Sequence, residues 1–252
     1  MNILKILITG ASSGIGREMA RILHKSGHQL YLVARREKML LELKAQLDNS
    51  PEIIVSDLSS KENCIALYES LKDENIDILI NNAGFGVFGD FLETDLSREL
   101  SMLDVNIRAL HILTKKFLAD FVARDSGFIM NVASSAAFLP GPLLSSYYAS
   151  KAYVQRLTLA IHEELRHRGS NVRISALCPG PVDTEFNQTA GVKFNLKSLT
   201  AESVAKYALS KMFKGKLVIV PGTIIRLGVF FQRFLPTKLL LRISYNIQKA
   251  KG

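Results

Sequence analysis

The sequence predicts an α/β chain organised on one doubly wound parallel sheet with helices on both faces. Three observations carry that expectation. Short, continuously apolar runs recur along most of the chain, amphipathic patterns of helical length separate them, and a glycine-rich turn lies between the first run and the first such pattern. Continuous apolarity, as opposed to alternation, marks strands buried on both faces, and strands joined by helices are buried in that way when they run parallel.

Taken in order, Lys5–Thr9 and Gln29–Ala34 read as strands, with a helix from about Ile15 to Ser26 between them. A charged helix follows over Glu37–Leu47, then a strand at Glu52–Ser56, a helix over about Lys61–Lys72 and a strand at Ile76–Ile80. Long helical patterns at Leu96–Ala123 and Tyr147–Arg168 flank the apolar run Gly127–Ala133, and Asn171–Cys178 and Lys216–Val220 are later runs. The segment Asp183–Lys197 breaks this rhythm; it is polar, contains Gly191, carries Phe186 and Phe194, and is expected to act as a mobile lid. With 252 residues, 48% of them hydrophobic, the chain suits one large core. The expected division is an α/β domain over residues 1–222 and a basic amphipathic helical extension over residues 223–252.

Composition narrows the function classes. No apolar stretch reaches spanning length, and Met1 runs straight into a strand-like segment with no cleavage site, so no membrane-spanning helix and no leader are expected. Two cysteines, Cys64 and Cys178, make no disulfide framework, and a reducing cytoplasmic compartment is the expectation. The five histidines show no metal-ligand spacing, so no metal is expected. Of the net charge of +9, residues 214–252 contribute eight Lys or Arg and no acid, leaving +1 for the rest. That concentration argues against a nucleic-acid-coating domain and for something local at the C-terminus.

The first strand ends in Thr9-Gly10-Ala11-Ser12-Ser13-Gly14-Ile15-Gly16, where a helix opens. Glycines let the backbone turn sharply and approach a pyrophosphate, and the helix N-terminus offers unpaired N–H groups to it. A plain turn has the same glycines, but this one sits at the start of a strand–helix–strand unit, as dinucleotide binding requires. About twenty residues on, a NAD-preferring site places an acid at the end of the second strand. Here Ala34 is followed by Arg35 and Arg36, whose guanidinium groups suit a 2′-phosphate, so NADP(H) is the expected cofactor. Glu37 reads as a first-turn helix residue favoured by the dipole.

The Thr-Gly-x-x-x-Gly-x-Gly spacing from Thr9 to Gly16 resembles the short-chain dehydrogenase/reductase family, and the resemblance extends over roughly residues 3–220. It implies a Rossmann fold. It also implies that Asp57-Leu58 is the adenine-contacting pair and that Asn81-Asn82-Ala83-Gly84 stabilises the sheet and lies against the cofactor. In Pro179-Gly180-Pro181-Val182-Asp183-Thr184 the implied role of the threonine is to hold the nicotinamide carboxamide.

Tyr147 and Lys151 are four apart on a helical pattern and share one face. A phenol is a poor base at neutral pH, and a nearby ammonium is expected to lower its pKa, so that Tyr147 can exchange a proton with a carbonyl or alcohol oxygen. Tyr148 has Ala152 at the fourth position and is expected only to pack. The resemblance implies that Ser134 hydrogen-bonds the reacting oxygen, with Ser135 its adjacent rival. It implies too that Asn106 holds a water linking Lys151 to solvent and that Lys151 binds the nicotinamide ribose. Ala133 departs from the serine common in relatives, without touching a role. The expected activity is reduction of a hydrophobic ketone, fatty-acyl or steroid-like carbonyl. The alternative is a catalytically silent NADP-binding scaffold or redox sensor.

The expected substrate pocket is apolar, drawn from Phe85, Phe88, Phe91, Phe138, Leu139, Pro140, Leu143 and Leu144. The helical patterns at Leu96–Ala123 and Tyr147–Arg168 match those through which the family commonly pairs. A homodimer or homotetramer is therefore expected, with Phe117 and Leu157 among the apolar positions a partner would cover. Beyond Gly222, the patterns Ile224–Leu235 and the stretch after Pro236 set basic residues against apolar ones. They are expected to dock on an anionic membrane surface or a partner outside the catalytic fold, the alternative being closure of the pocket or of a dimer interface.

Overall fold

The computed structural model describes residues 2–48, 50–186 and 198–249. Strands β1 (Lys5–Thr9), β2 (Gln29–Ala34), β3 (Glu52–Val55), β4 (Ile78–Asn81), β5 (Phe128–Val132) and β6 (Arg173–Leu177) precede a small pair, β7 (Val182–Asp183) and β8 (Leu199–Thr200), and β9 (Val218–Ile219) comes last. Seven of them form one parallel sheet in the order β3-β2-β1-β4-β5-β6-β9. This is the doubly wound Rossmann-type sheet that the apolar runs predict. The order reverses between β1 and β4, and in open sheets of this kind a ligand crevice lies at the carboxyl ends of the strands at such a reversal.

Strand alternation sorts the core into two layers. Ile6 and Ile8 of β1 face α1 (Gly14–Lys25), α2 (Glu37–Gln46) and α7 (Ala201–Phe213), whereas Leu7 faces α3 (Lys61–Leu71), α5 (Leu110–Ala123) and α6 (Ser145–His167). Helix α1 illustrates the logic. Its Gly16, Met19, Ala20 and Leu23 recur at i, i+3, i+4 and i+7 and are buried. Burial of Met19 and Leu23 stabilises by about 1.5–3 kcal/mol each. The helix stops before Gly27, whose φ of +80° an L-residue adopts only with strain.

Three departures from the expected elements matter for the site. The pattern expected as one helix is three pieces: α4 (Leu96–Leu103), a π-helical stretch over Asp104–Ala109, and α5. Asp95 caps α4 by accepting from Arg98 N at 2.8 Å. The strand expected from Ile76 begins at Ile78; just before it, Asp77 N donates to Lys5 O and the Asp77 carboxylate accepts from Lys5 N, both at 2.8 Å. Helix α7 was not expected; Thr200 caps it by accepting from Ser203 N, and Val204, Ala205, Ala208 and Met212 bury its inner face. The expected lid is described only as far as Phe186; residues 187–197, with Gly191 and Phe194, lie outside the described residues.

After β9 the chain forms α8 (Thr223–Phe231), a 3-10 turn at Gln232–Phe234 and, following Pro236 as expected, α9 (Thr237–Lys249). Among the described residues no helix is long and apolar enough to cross a membrane. Phe117 needs no partner to cover it, since it is fully buried against Tyr68 and Phe121.

Candidate active site

The turn after β1 is pinned to the end of β4. Thr9 Oγ1 accepts from Asn82 N and Ala83 N, both at 3.0 Å, and Asn82 Nδ2 donates to Thr9 O at 3.0 Å and Gly10 O at 3.1 Å. Little space is left for a side chain here. A Cβ on Gly16 would stand 2.5 Å from Asn82 Nδ2 and 2.6 Å from Gly10 O, and Gly14 holds φ at +55° beneath the Thr184 methyl. The Ser13 hydroxyl makes no cap bond to α1, which leaves the first amides of that helix to an anion. This cradle of Gly10, Ser12, Ser13, Gly14, Ile15 and Gly16, open at a helix N-terminus, fits a pyrophosphate.

Arg35 and Arg36 both stand exposed at the end of β2, as expected, but their surroundings differ. Arg36 Nη2 donates to Ser12 Oγ of the glycine turn at 3.1 Å, and its Nη1 pairs with Glu185 at 2.7 Å. Arg35 lies on the other side, beside Ser56 and Asp57. One Asp57 carboxylate oxygen accepts from Ser59 N and Ser59 Oγ. The Leu58 side chain is buried in the core, so only its main chain can meet a nucleotide. Glu37 sits in the first turn of α2, as expected.

The four expected catalytic candidates converge where β5 ends. Helix α6 starts at Ser145, so Tyr147 occupies its first turn and Lys151 the next. Tyr147 is 9% exposed and Lys151 only 4%. Lys151 Nζ lies 5.8 Å from the centroid of the Tyr147 ring and donates to Val132 O at 3.0 Å. Ser134 lies beside the phenol; its hydroxyl donates to Pro179 O at 3.5 Å and accepts from Ala136 N at 3.1 Å. Ser135, the rival, spends its N–H on Pro179 O at 2.8 Å.

Asn106 is carried inward by the π-helical stretch and is fully buried. Its Oδ1 accepts from Phe85 N, and its Nδ2 donates to Phe85 O at 3.0 Å and Ser150 Oγ at 3.1 Å. Ser150 in turn donates to Tyr147 O at 2.7 Å. Ser150 was not singled out from sequence, although it lies three residues from Tyr147 and so on its face. A Cβ on Gly84 would stand 2.7 Å from Asn106 Oδ1 and 3.2 Å from Lys151 Nζ, so both groups border the same small space.

Electrostatics correct one expectation. The Tyr147 pKa is raised, not lowered. Burial pushes it up from the usual phenol value, and the Ser134 hydroxyl only partly opposes this. Burial likewise pushes the Lys151 ammonium down to about 8. Tyr147 therefore keeps its proton at neutral pH.

The apolar wall is smaller than expected and differently assembled. Phe85, Phe88 and Leu144 gather around Tyr147 with Val87, Met102 and Phe186, whose ring centroid is 5.4 Å from that of Tyr147. Phe91 is 63% exposed, and Phe138 packs instead with Ile225 under α8. Leu143 adopts φ of +63°, an uncommon conformation for a leucine. The C-terminal helices also reach this side of the site, in keeping with the alternative that they close the pocket. Gln232 Nε2 donates to Phe138 O at 3.2 Å, Ser244 Oγ to Pro140 O at 3.0 Å, and Gln248 to the Tyr148 hydroxyl. Tyr148 thus does more than pack. Ile225 closes over Gly180, where a Cβ would stand 2.8 Å from its Cδ1.

The family profile for short chain dehydrogenases matches residues 4–193. An uncharacterised oxidoreductase of Staphylococcus epidermidis is 33% identical over 212 residues, covering 81% of this chain and 90% of that protein. Among solved structures, a short-chain dehydrogenase from Sphingobium yanoikuyae in complex with NADPH is 31% identical with a TM-score of 0.83, covering 92% of this chain and 94% of that one. A short chain dehydrogenase/reductase from Burkholderia phymatum in complex with NAD is 25% identical with a TM-score of 0.83, over 92% and 94%.

Proposed function

The chain belongs to the short-chain dehydrogenase family, a nicotinamide-dependent oxidoreductase by that membership, and we propose that it uses NADP(H) to reduce a hydrophobic ketone, fatty-acyl or steroid-like carbonyl. The observation that carries this reading is the protonated, buried Tyr147 phenol with Ser134 beside it and an apolar wall of Phe85, Phe88, Leu144 and Phe186 around it. Bound at the glycine turn, the nicotinamide cofactor supplies the hydride. The residues that would hold it are Gly10, Ser12, Ser13, Gly14, Ile15 and Gly16 at the pyrophosphate, with Asp57, Leu58, Asn82, Ala83 and Gly84 along the crevice. Pro179, Gly180, Val182 and Thr184 border it from the β6 side. Preference for NADP(H) rests on Arg36, which reaches the glycine turn, together with Arg35.

Each chain residue then has one task. Tyr147 donates its proton to the carbonyl oxygen. The Ser134 hydroxyl stabilises the charge that develops there. The Lys151 ammonium, where protonated, favours release of that proton by its field. Asn106 and Ser150 position the turn that holds Tyr147 by bonding Phe85 and the Tyr147 carbonyl. The same reading includes pairing of copies through the α4–α6 side, where Leu96 and Leu100 are exposed.

The test is NADPH consumption with a panel of bulky ketones and aldehydes, repeated with Tyr147→Phe. The expected loss of turnover is about 10²–10⁴-fold, with NADPH binding nearly intact by fluorescence. A variant keeping more than about a tenth of the wild-type rate would remove Tyr147 from the acid role. NADPH binding without turnover of any carbonyl would leave the silent scaffold as the reading.

A further inference from the structure

Helix α9 is turned against its own amphipathicity. Its buried residues are Ser244 and Gln248, a polar pair one turn apart, held by bonds to Pro140 O and the Tyr148 hydroxyl. Its apolar residues face out: Leu239, Leu241, Ile243, Tyr245 and Ile247 are all exposed. Helix α8 does the same in part. Ile225 is half-buried against Gly180, while Ile224 is 83% exposed and Phe231 and Phe234 are 60% and 70% exposed. The rings of Phe230, Phe231 and Phe234 pack only edge-on against one another, at centroid distances of 5.3 and 5.6 Å. An exposed apolar surface of this extent marks an interaction site.

Charge identifies the occupant. The two helices and the turn between them carry Arg226, Arg233, Lys238, Arg242 and Lys249 and no acid. Among the described residues none of these five cations takes part in an ion pair. A second copy of the chain is a poor match, because a two-fold interface would set cation against cation. An interface that accepts apolar side chains and demands negative charge at the same depth is the surface of an anionic bilayer. Neither helix is long enough to span it, so both would lie in its plane.

We propose that α8 and α9 dock this protein on anionic lipid membranes through their exposed apolar residues and five flanking cations. The same C-terminal stretch holds Phe138, Pro140 and Tyr148, which flank Tyr147 in the chain. Docking would therefore bring the substrate side of the site next to the bilayer, where a hydrophobic carbonyl compound partitions. That consequence rests on the reductase reading, whereas the docking does not.

The experiment uses the full chain, sedimented with phosphatidylcholine vesicles and with vesicles that also contain phosphatidylglycerol. The expected result is pelleting with the anionic vesicles, at least about tenfold weaker binding to the neutral ones, and release at high salt. The double variants Phe231→Ser/Phe234→Ser and Arg226→Gln/Arg233→Gln should each weaken pelleting by about tenfold or more, with circular dichroism, NADPH binding and any carbonyl turnover unchanged. Protein that stays in the supernatant with anionic vesicles at low salt overturns the proposal, as does equal pelleting with both vesicle types or pelleting indifferent to the variants. Variants that dissociate an oligomer by light scattering, with no vesicle binding by the wild type, assign the face to a second copy instead. Absence of carbonyl turnover in the wild type bears on the reductase reading alone.

Discussion

Replacing Lys151 by methionine should stabilise the fold while destroying turnover. Burial holds the Lys151 ammonium at about 8, against 10.5 for an ordinary lysine, and the side chain is 4% exposed. At about 1.4 kcal/mol per pH unit, the native state disfavours the charged form by about 3 kcal/mol. Methionine fills a similar volume with no charge to desolvate. Against this gain, Val132 O loses the 3.0 Å bond from Nζ, a loss of about 1–2 kcal/mol. The net gain at neutral pH is about 1–2 kcal/mol, or about 2–8 °C in Tm. The sign has a pH signature. Below about 8 both folded and unfolded lysine carry the proton and the full penalty is present; between there and 10.5 the folded lysine sheds it while the unfolded one keeps it. Wild-type stability should thus rise over that window, and the advantage of the variant should shrink. Urea melts followed by circular dichroism at neutral and alkaline pH measure both quantities. A variant less stable than the wild type at neutral pH, or an advantage that does not shrink in alkali, would refute the reasoning.

Carbonyl reduction should hold steady through neutrality and fall above about pH 8, because Lys151 loses its charge there while the raised Tyr147 pKa keeps the phenol protonated. A falling limb below neutrality in the kcat/KM profile would contradict that assignment. Arg36→Ala should weaken NADPH binding by about 10- to 100-fold, the loss of one charge-assisted phosphate contact, and leave NADH nearly unaffected. Titrations in which both cofactors suffer equally would remove Arg36 from the phosphate role, and Arg35→Ala should have the smaller effect. Gly84→Ala should lower stability by about 1–3 kcal/mol and reduce kcat more than it raises KM, since its Cβ meets Asn106 Oδ1 and Lys151 Nζ; unchanged kinetics would show that the space is not used.

Much of the frame was legible because a strand buried on both faces writes itself as an unbroken apolar run. Lys5–Thr9 and Gln29–Ala34 match the structure at both ends. Losses came where tertiary contacts decide. Nothing in the pattern from Leu96 to Ala123 separates a continuous helix from one with a π-helical insert, since both keep apolar residues at similar spacing, yet the insert is what turns Asn106 inward. Helix α7 has buried residues at helical spacing, Val204, Ala205, Ala208 and Met212, but follows an irregular segment that interrupts the alternation of strand and helix. Adjacent arginines cannot be ranked from sequence; the contacts with Ser12 and Glu185 separate Arg36 from Arg35.

The site shows the same limit in its electrostatics. The i, i+4 spacing of Tyr147 and Lys151 suggested that the ammonium would lower the phenol pKa, because spacing reports proximity and says nothing of burial. In the fold Tyr147 is buried among Phe186 and Leu144 and Lys151 against the end of β5, and desolvation is the largest cause of both shifts. Desolvation acts on the two in complementary ways: it holds the proton on the tyrosine and loosens it on the lysine. A site prepared in this manner is a proton donor at neutral pH, which suits reduction. To run as an oxidant it must remove a proton from an alcohol, and the phenol must first become a phenolate against that same burial. The proposed carbonyl reduction relies on that burial, since it keeps the proton on Tyr147 at neutral pH.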